Sequence, residues 1–371
     1  MLTPPFRAIV MLKGGIFMTI LEKLRLILKQ QDVEAFIVMS DQNRRYLTNF
    51  TGSEGAVLVT QTEAKLFVDF RYTEQATAQC PDFTVQEINP RHVYDVINAS
   101  LKEQNITTLA FEEQHVSFAT YRMLTANIKT TLQPMSLLVE AIRLTKTPDE
   151  IELIKKAAWI SDEAFTHILT FIKPGVTERE IAFELESHMR KNGADGASFD
   201  MIVASGTRSA LPHGAPTEKK IETGDMLTLD FGAYYKGYRS DMTRTIAVGE
   251  PLAELRKIYD IVLAAQELSL KEMKIGMTAQ EVDSLSRDYI TAQGYGAQYG
   301  HGAGHGIGLD IHEDIFLAQG VATPVRENMV LTMEPGIYIP GLGGVRIEDD
   351  VIMTKDGAEV ITHSPKELIV L

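Results

Sequence analysis

The chain has 371 residues, a formal net charge of −14, 44% hydrophobic and 23% charged residues, and one cysteine. That length exceeds one ordinary core and points to two domains, and the composition is that of a globular protein. The acidic balance argues against nucleic acid and anionic membrane as partners, no run of eighteen apolar residues offers a membrane span, and a single thiol excludes an internal disulfide and a thiolate zinc site.

Residues 1–17 are mildly basic, with short apolar runs and no small-residue cleavage site of the signal-peptide kind. Lys13-Gly14-Gly15 can be encoded as a bacterial ribosome-binding sequence shortly before the Met18 codon, so residues 1–17 are expected to be a misread leader. Leucines at 21, 24, 26 and 28 predict a helix over 19–30. Strand-like runs at 35–39, 56–59, 65–69 and 108–111, with a helical run at 72–79, predict a small α/β domain over 18–135. Cys80 stands before Pro81 outside any motif and reads as structural, which fits a reducing cytoplasm. Asn105-Ile-Thr107 matches a glycosylation sequon, but without a secretory context it reads as chance. Residues 130–147, interrupted by Pro134, form the expected boundary.

The second domain is expected over 145–371. Thr147 is a candidate N-cap, Pro148 suits the first turn, and Asp149 and Glu150 suit its positive end. That helix should run through Trp159, read as core, and stop at Pro174-Gly175. Gly175-Val-Thr177-Glu-Arg-Glu180 recurs 101 residues later as Gly276-Met-Thr278-Ala-Gln-Glu281. Each copy carries a capping box and opens a helix that ends at a glycine, Gly193 or Gly294. Two such boxes in register imply a duplicated half-domain with pseudo-two-fold symmetry.

Each half then offers a pair of carboxylates. In the first, a turn at Lys236-Gly237 would pair Tyr235 with Tyr238 and set Asp230 against Thr243, leaving Asp241 a diagonal neighbour of Asp230 on the same face. Two carboxylates on apolar strands repel each other and lose hydration unless a cation sits between them. In the second, Pro335 pushes Glu334 toward extended backbone at the end of a strand over 330–334. Arg346 and Glu348 sit two apart, so a strand would point both the same way. His301-Gly-Ala-Gly-His305-Gly-Ile-Gly is too glycine-rich for a helix, at about 1 kcal/mol per glycine, and reads as a loop or strand whose bare backbone allows close approach. Any one of these polar residues alone would read as solvated surface. Four carboxylates with His305 instead suit two hard or borderline divalent cations, Mn²⁺ being favoured and Co²⁺ or Zn²⁺ the alternatives. Two such metals hold a bridging hydroxide and polarise a carbonyl.

Asp230, Asp241, His305, Glu334 and Glu348 resemble the metal ligands of the "pita-bread" metallopeptidases, and His301-x-x-Gly-His305-x-x-Gly-x-x-x-His312-Glu313 resembles the signature of their proline-specific branch. Asp41-Gln-Asn-Arg44-Arg45-Tyr46 and Val68-Asp69-Phe-Arg71-Tyr72 resemble the N-terminal domain of aminopeptidase P. The resemblance implies a mixed α/β (α+β) chain: a small N-terminal creatinase-like α/β domain, then a C-terminal pita-bread domain with an internal pseudo-two-fold repeat. It implies Glu334 as the base, His213, His301 and His312 as groups that stabilise the oxyanion and relay protons, and Arg346 as a guanidinium holding a ligand carboxylate. Tyr338 is a candidate for the same network. His92, His115, His167, His188 and His363 read as structural. The expected activity is a cytoplasmic, homodimeric, dinuclear-metal exopeptidase that cleaves the Xaa-Pro bond at peptide N-termini. The alternatives are a dipeptidase limited to Xaa-Pro, a creatinase-type hydrolase, and a peptide-binding pseudoenzyme.

Overall fold

The structure, a computed structural model, describes residues 18–371, and the expected leader at 1–17 lies outside them. The chain divides between Arg143 and Leu144 into two compact units.

The first unit is built on one sheet of six strands: β1 (Ala35–Val38), β2 (Ala56–Thr60), β3 (Ala64–Val68), β4 (Thr84–Glu87), β5 (Thr108–Glu112) and β6 (Thr131–Met135), in spatial order β4-β3-β2-β1-β5-β6. β1, β2 and β3 pair antiparallel, whereas β4, β5 and β6 join parallel through helical crossovers. The first helix, Ile20–Gln30, opens on a capping box between Thr19 and Glu22 and buries Leu24 and Leu28. Arg44 is buried and donates to the carbonyls of Gly52 and Gly55, tying down the loop before β2. Cys80 is buried and free, as expected. Residues 131–135 depart from expectation: the stretch read as a boundary is β6, an edge strand. Pro134 has no N–H to donate, and an edge position is where a sheet tolerates that.

The second unit shows the expected repeat in three dimensions. Helix Pro148–Phe171 opens on a capping box between Thr147 and Glu150, and helix Glu178–Lys191 follows. The strands of this half are β7 (Gly196–Ala197), β8 (Ile202–Ser205), β9 (Asp225–Phe231), β10 (Ala233–Tyr235), β11 (Tyr238–Arg239) and β12 (Met242–Val248). In the other half, helices Ala253–Glu272 and Ala279–Ala292 precede β13 (Gly304–Gly306), β14 (Glu313–Leu317), β15 (Val330–Met333), β16 (Gly336–Ile339), β17 (Gly343–Arg346), β18 (Asp349–Thr354) and β19 (Gly357–Val360). The sheets β12-β9-β8 and β14-β13-β15-β18-β19 share an antiparallel centre: β8, β9 and β12 correspond to β13, β15 and β18.

Thr177 and Thr278 both form the expected capping boxes. Their flanking backbone repeats as well. Gly175 N–H donates to Ile221 O and Gly276 N–H to Val325 O, each at 2.9 Å, with both glycines at left-handed φ near +93°. Each half therefore pins the start of its second helix to its own loop, and each fills its own apolar cluster, one around Phe165, Leu227 and Phe231, the other around Met329, Leu331 and Met353.

Trp159 is not core. It is 43% exposed, with the Lys156 ammonium 3.4 Å above its ring centre. At 100° per residue it falls across the helix from the buried stripe of Ala157, Ser161, Ala164 and Ile168.

Candidate active site

The two halves bring their carboxylates together through equivalent strands. Asp230 lies near the end of β9 and Glu334 directly follows β15; Asp241 directly precedes β12 and Glu348 directly precedes β18. The Lys236-Gly237 turn forms as expected, with Lys236 at φ 48° and Gly237 at φ 93°, Tyr235 against Tyr238 and Asp230 against Thr243. Arg346 and Glu348 do not share a strand, since Arg346 ends β17 and Glu348 falls between β17 and β18. They still converge, because both meet the Thr243 hydroxyl: it accepts from Arg346 Nε at 3.1 Å and donates to Glu348 Oε2 at 2.6 Å.

His305 stands on β13, not on a helix. The glycines around it let neighbouring strands pack close to its backbone. A Cβ on Gly304 would lie 2.1 Å from Thr332 O, so only glycine lets β13 lie this close to β15. His305 N–H then donates to Thr332 Oγ1 at 3.0 Å, and that hydroxyl faces Glu334 Oε1 at 3.3 Å. Thr243 and Thr332 were not singled out from the sequence; each lies two residues from a carboxylate, a spacing that could have marked them. Lys146 and Glu313 form a buried ion pair at 3.0 Å, and Glu313 also accepts from Leu309 N–H, which fastens the loop between His305 and His312.

A cavity of about 540 Å³ opens here. His213, Asp230, Asp241, His301, His305, His312, Glu334, Arg346 and Glu348 all line it. Tyr338, outside that lining, joins the network: its hydroxyl accepts from Arg346 Nη1 at 2.8 Å and contacts His301 Nε2 at 2.9 Å. Arg346 also binds Asp230 Oδ2 and donates to Pro212 O, the residue before His213.

The electrostatics are those of a site built around cations. Burial, then the neighbouring carboxylates Glu348 and Asp230, push Asp241 well above the usual carboxylate range, and burial with Glu334 and Asp230 does the same to Glu348. Glu334 is also raised, chiefly by burial. His301, His305 and His312 are lowered by burial, which favours the neutral imidazole that ligates metal or passes protons. Burial works against the Arg346 charge, yet Tyr338 and the acidic neighbours hold it firmly cationic. Asp230 Oδ1 and Asp241 Oδ1 are buried with no hydrogen-bond partner. Ligand atoms of Asp241, His305 and Glu348 lie within 4.8 Å of one another. His305 Nε2 is 3.6 Å from Asp241 Oδ2 and 3.5 Å from Glu334 Oε1. These distances are too long for hydrogen bonds and close to the ~3–3.5 Å between two ligands of one cation bound at about 2.1 Å. Four carboxylates around one guanidinium and a neutral imidazole fit a pair of divalent metals.

Comparison with known proteins agrees with this geometry. Residues 152–355 match metallopeptidase family M24, and residues 20–145 match the Creatinase/Prolidase N-terminal domain. The chain is 48% identical to the uncharacterized peptidase YqhT of Bacillus subtilis, over 95% of this chain and 99% of that one. It is 39% identical to the Xaa-Pro dipeptidase of Pyrococcus furiosus, over 94% and 99%. Among solved structures it resembles an Xaa-Pro dipeptidase from Bacillus anthracis (TM-score 0.93, 51% identity, 95% of this chain and 99% of that one). It also resembles an X-Pro aminopeptidase from Thermotoga maritima (TM-score 0.87, 40% identity, 92% and 98%). The chain belongs to metallopeptidase family M24, its catalytic domain preceded by a Creatinase/Prolidase N-terminal domain.

Proposed function

We propose that this metallopeptidase cleaves the Xaa-Pro bond at the N-terminus of peptides, releasing the first residue. The observation that carries the reading is the convergence of Asp230, Asp241, Glu334 and Glu348 with His305 and three further histidines in one cavity. Those four carboxylates and His305 would hold two divalent ions, Mn²⁺ first among them because the donors are mostly oxygen. When bound, the pair polarises the scissile carbonyl and acidifies water. Glu334 takes the proton of the attacking water. His301 and His213 face the carbonyl oxygen as its charge grows, with His301 oriented by Tyr338. The proton that Glu334 takes passes by way of His312, on the open side of the cavity, to the prolyl nitrogen, a tertiary amide nitrogen that must be protonated to depart. Arg346 fixes Asp230 and Tyr338 in place.

A second reading, a dipeptidase confined to Xaa-Pro, is favoured by the names of the Bacillus anthracis and Pyrococcus relatives. A homodimer in which the first domain shapes a neighbour's site, and a cytoplasmic location, belong to the same proposal; no helix of the described residues is long and apolar enough to cross a membrane. The test strips metal with EDTA, restores it as Mn²⁺, and follows hydrolysis of Ala-Pro-Ala. Activity should vanish and return. Full activity in metal-free protein refutes the mechanism.

A further inference from the structure

We infer that Arg287, held by Asp283, is the positioning residue for His301: it fixes the segment on which His301 stands and so sets where the imidazole meets the carbonyl oxygen. The inference rests on the role that the Xaa-Pro reading gives to His301. It adds to that reading two residues of helix Ala279–Ala292 that do not line the cavity.

The local sequence leaves this segment loose. Residues 299–303 belong to no helix or strand, and Gly300 and Gly302 flank the histidine, so the chain there has wide freedom of φ and ψ. What fixes it comes from the neighbouring helix. Arg287 Nη1 donates to Tyr299 O at 3.1 Å and Nη2 to His301 O at 2.6 Å. Its Nε and Nη2 also bind Asp283 Oδ2 and Oδ1, at 2.6 and 2.8 Å, one turn earlier on the same helix. Asp283 is fully buried, and its Oδ1 accepts from Ala303 N–H at 3.0 Å. A planar guanidinium with five donors can hold one carboxylate and two carbonyls at once. The ring leans on the same pair. The guanidinium lies 4.5 Å from the Tyr299 ring centre, and His301 stands edge-on to that ring at 5.3 Å and 85°. On its other side His301 Nε2 meets the Tyr338 hydroxyl at 2.9 Å. Ala303 O accepts from Glu334 N–H at 2.8 Å, so the same clamp sets His301 relative to the base.

The internal repeat shows that the pair is not general scaffolding. Helices Glu178–Lys191 and Ala279–Ala292 each have 14 residues and open on matching capping boxes. The offset of 101 residues puts Ala182 in the place of Asp283 and Glu186 in the place of Arg287. Glu186 pairs instead with Arg190, so the first half builds the same helix without this clamp. The same offset puts Asp200 in the place of His301. Clamp and histidine are therefore absent from that half together.

The test compares wild type, His301→Ala, Arg287→Lys and the double change Asp283→Leu with Arg287→Met, all as the Mn²⁺ enzyme. It reads kcat and KM for Ala-Pro-Ala, calorimetric Mn²⁺ affinity and melting temperature. Lysine keeps a cation beside Asp283 but cannot reach both carbonyls, and the double change leaves no buried charge unpaired, so both variants should fold. Each should lose kcat by roughly 10–100-fold, the scale of misplacing a reacting group by about an ångström, with KM and Mn²⁺ affinity unchanged. Adding His301→Ala to either should cost little beyond His301→Ala alone, because groups that act as a unit are not additive. Wild-type kcat in both variants, or losses that multiply with that of His301→Ala, overturns the inference and leaves the Xaa-Pro reading standing. So does failure of both variants to fold or to bind Mn²⁺, which makes the pair a structural support only. Wild-type kcat in His301→Ala removes the role of that histidine and the inference with it. No hydrolysis of Ala-Pro-Ala by wild type overturns both the inference and the Xaa-Pro reading.

Discussion

Arg346→Met should cost both stability and metal affinity. The guanidinium is 3% exposed and serves Asp230, Tyr338, Thr243 and the Pro212 carbonyl. Methionine keeps much of the volume but leaves Asp230 as a buried carboxylate without its cation. Removing one partner of a buried pair typically costs about 3–5 kcal/mol, and bound metal would take over part of that charge, so the loss should reach the full value only in metal-free protein. Metal affinity should fall about 10–100-fold, the usual effect of deleting a group that orients a ligand. That corresponds to roughly 1.4–2.7 kcal/mol. Arg346→Lys separates the two effects. It keeps the charge but cannot reach Asp230, Tyr338 and Thr243 at once, so stability should largely survive while metal affinity and kcat fall. Calorimetric Mn²⁺ titration and thermal melts of stripped and reloaded protein give both quantities. Wild-type affinity and melting temperature in Arg346→Met would refute the role assigned to this residue.

Glu334→Gln should fold and lose most of kcat, while His312→Ala should lose less, within roughly 10²–10⁴-fold, as expected for a proton relay; wild-type kcat/KM in His312→Ala removes its role. Lys146→Met should destabilise the protein by about 3–5 kcal/mol, because it leaves Glu313 buried beside the His305–His312 loop without the ammonium it now faces; an unchanged denaturant midpoint would contradict this. Above about pH 7, where the lowered His301, His305 and His312 no longer add an opposing slope, metal-free protein should lose stability as pH rises, because Asp241, Glu334 and Glu348 are raised in the fold, chiefly by burial. The folded state then holds protons that the unfolded state releases above its ordinary carboxylate pKa of about 4, so each unit of rising pH favours unfolding. Reloading with Mn²⁺ should flatten that slope, and a stripped protein whose melting temperature climbs over this range would be inconsistent with it.

Much of this protein was legible in the sequence because the determining physics is local. A capping box needs only Thr177 and Glu180 three apart, so both copies could be placed in register before any fold was known. The Lys236-Gly237 turn dictates its own pairing, and with it the approach of Asp230 to Thr243. The carboxylate pairs and His305 were equally visible as residue types that suit hard or borderline divalent cations, and the resemblance to the pita-bread metallopeptidases joined them into one proposed ligand set. Tertiary structure decided what depends on partners distant in the chain. Trp159 is exposed because the burying surface covers the opposite face of its helix, and Pro134 is accepted because its strand falls at a sheet edge. The glycines beside His305 promised a close approach to bare backbone, and packing decided that a neighbouring strand makes it. Arg346 meets Asp230 across 116 residues, and Phe316 faces an open cavity rather than the core. Spacing along a chain fixes which side chains share a face, but only the packing of that face against the rest determines whether it meets apolar side chains, a metal or water.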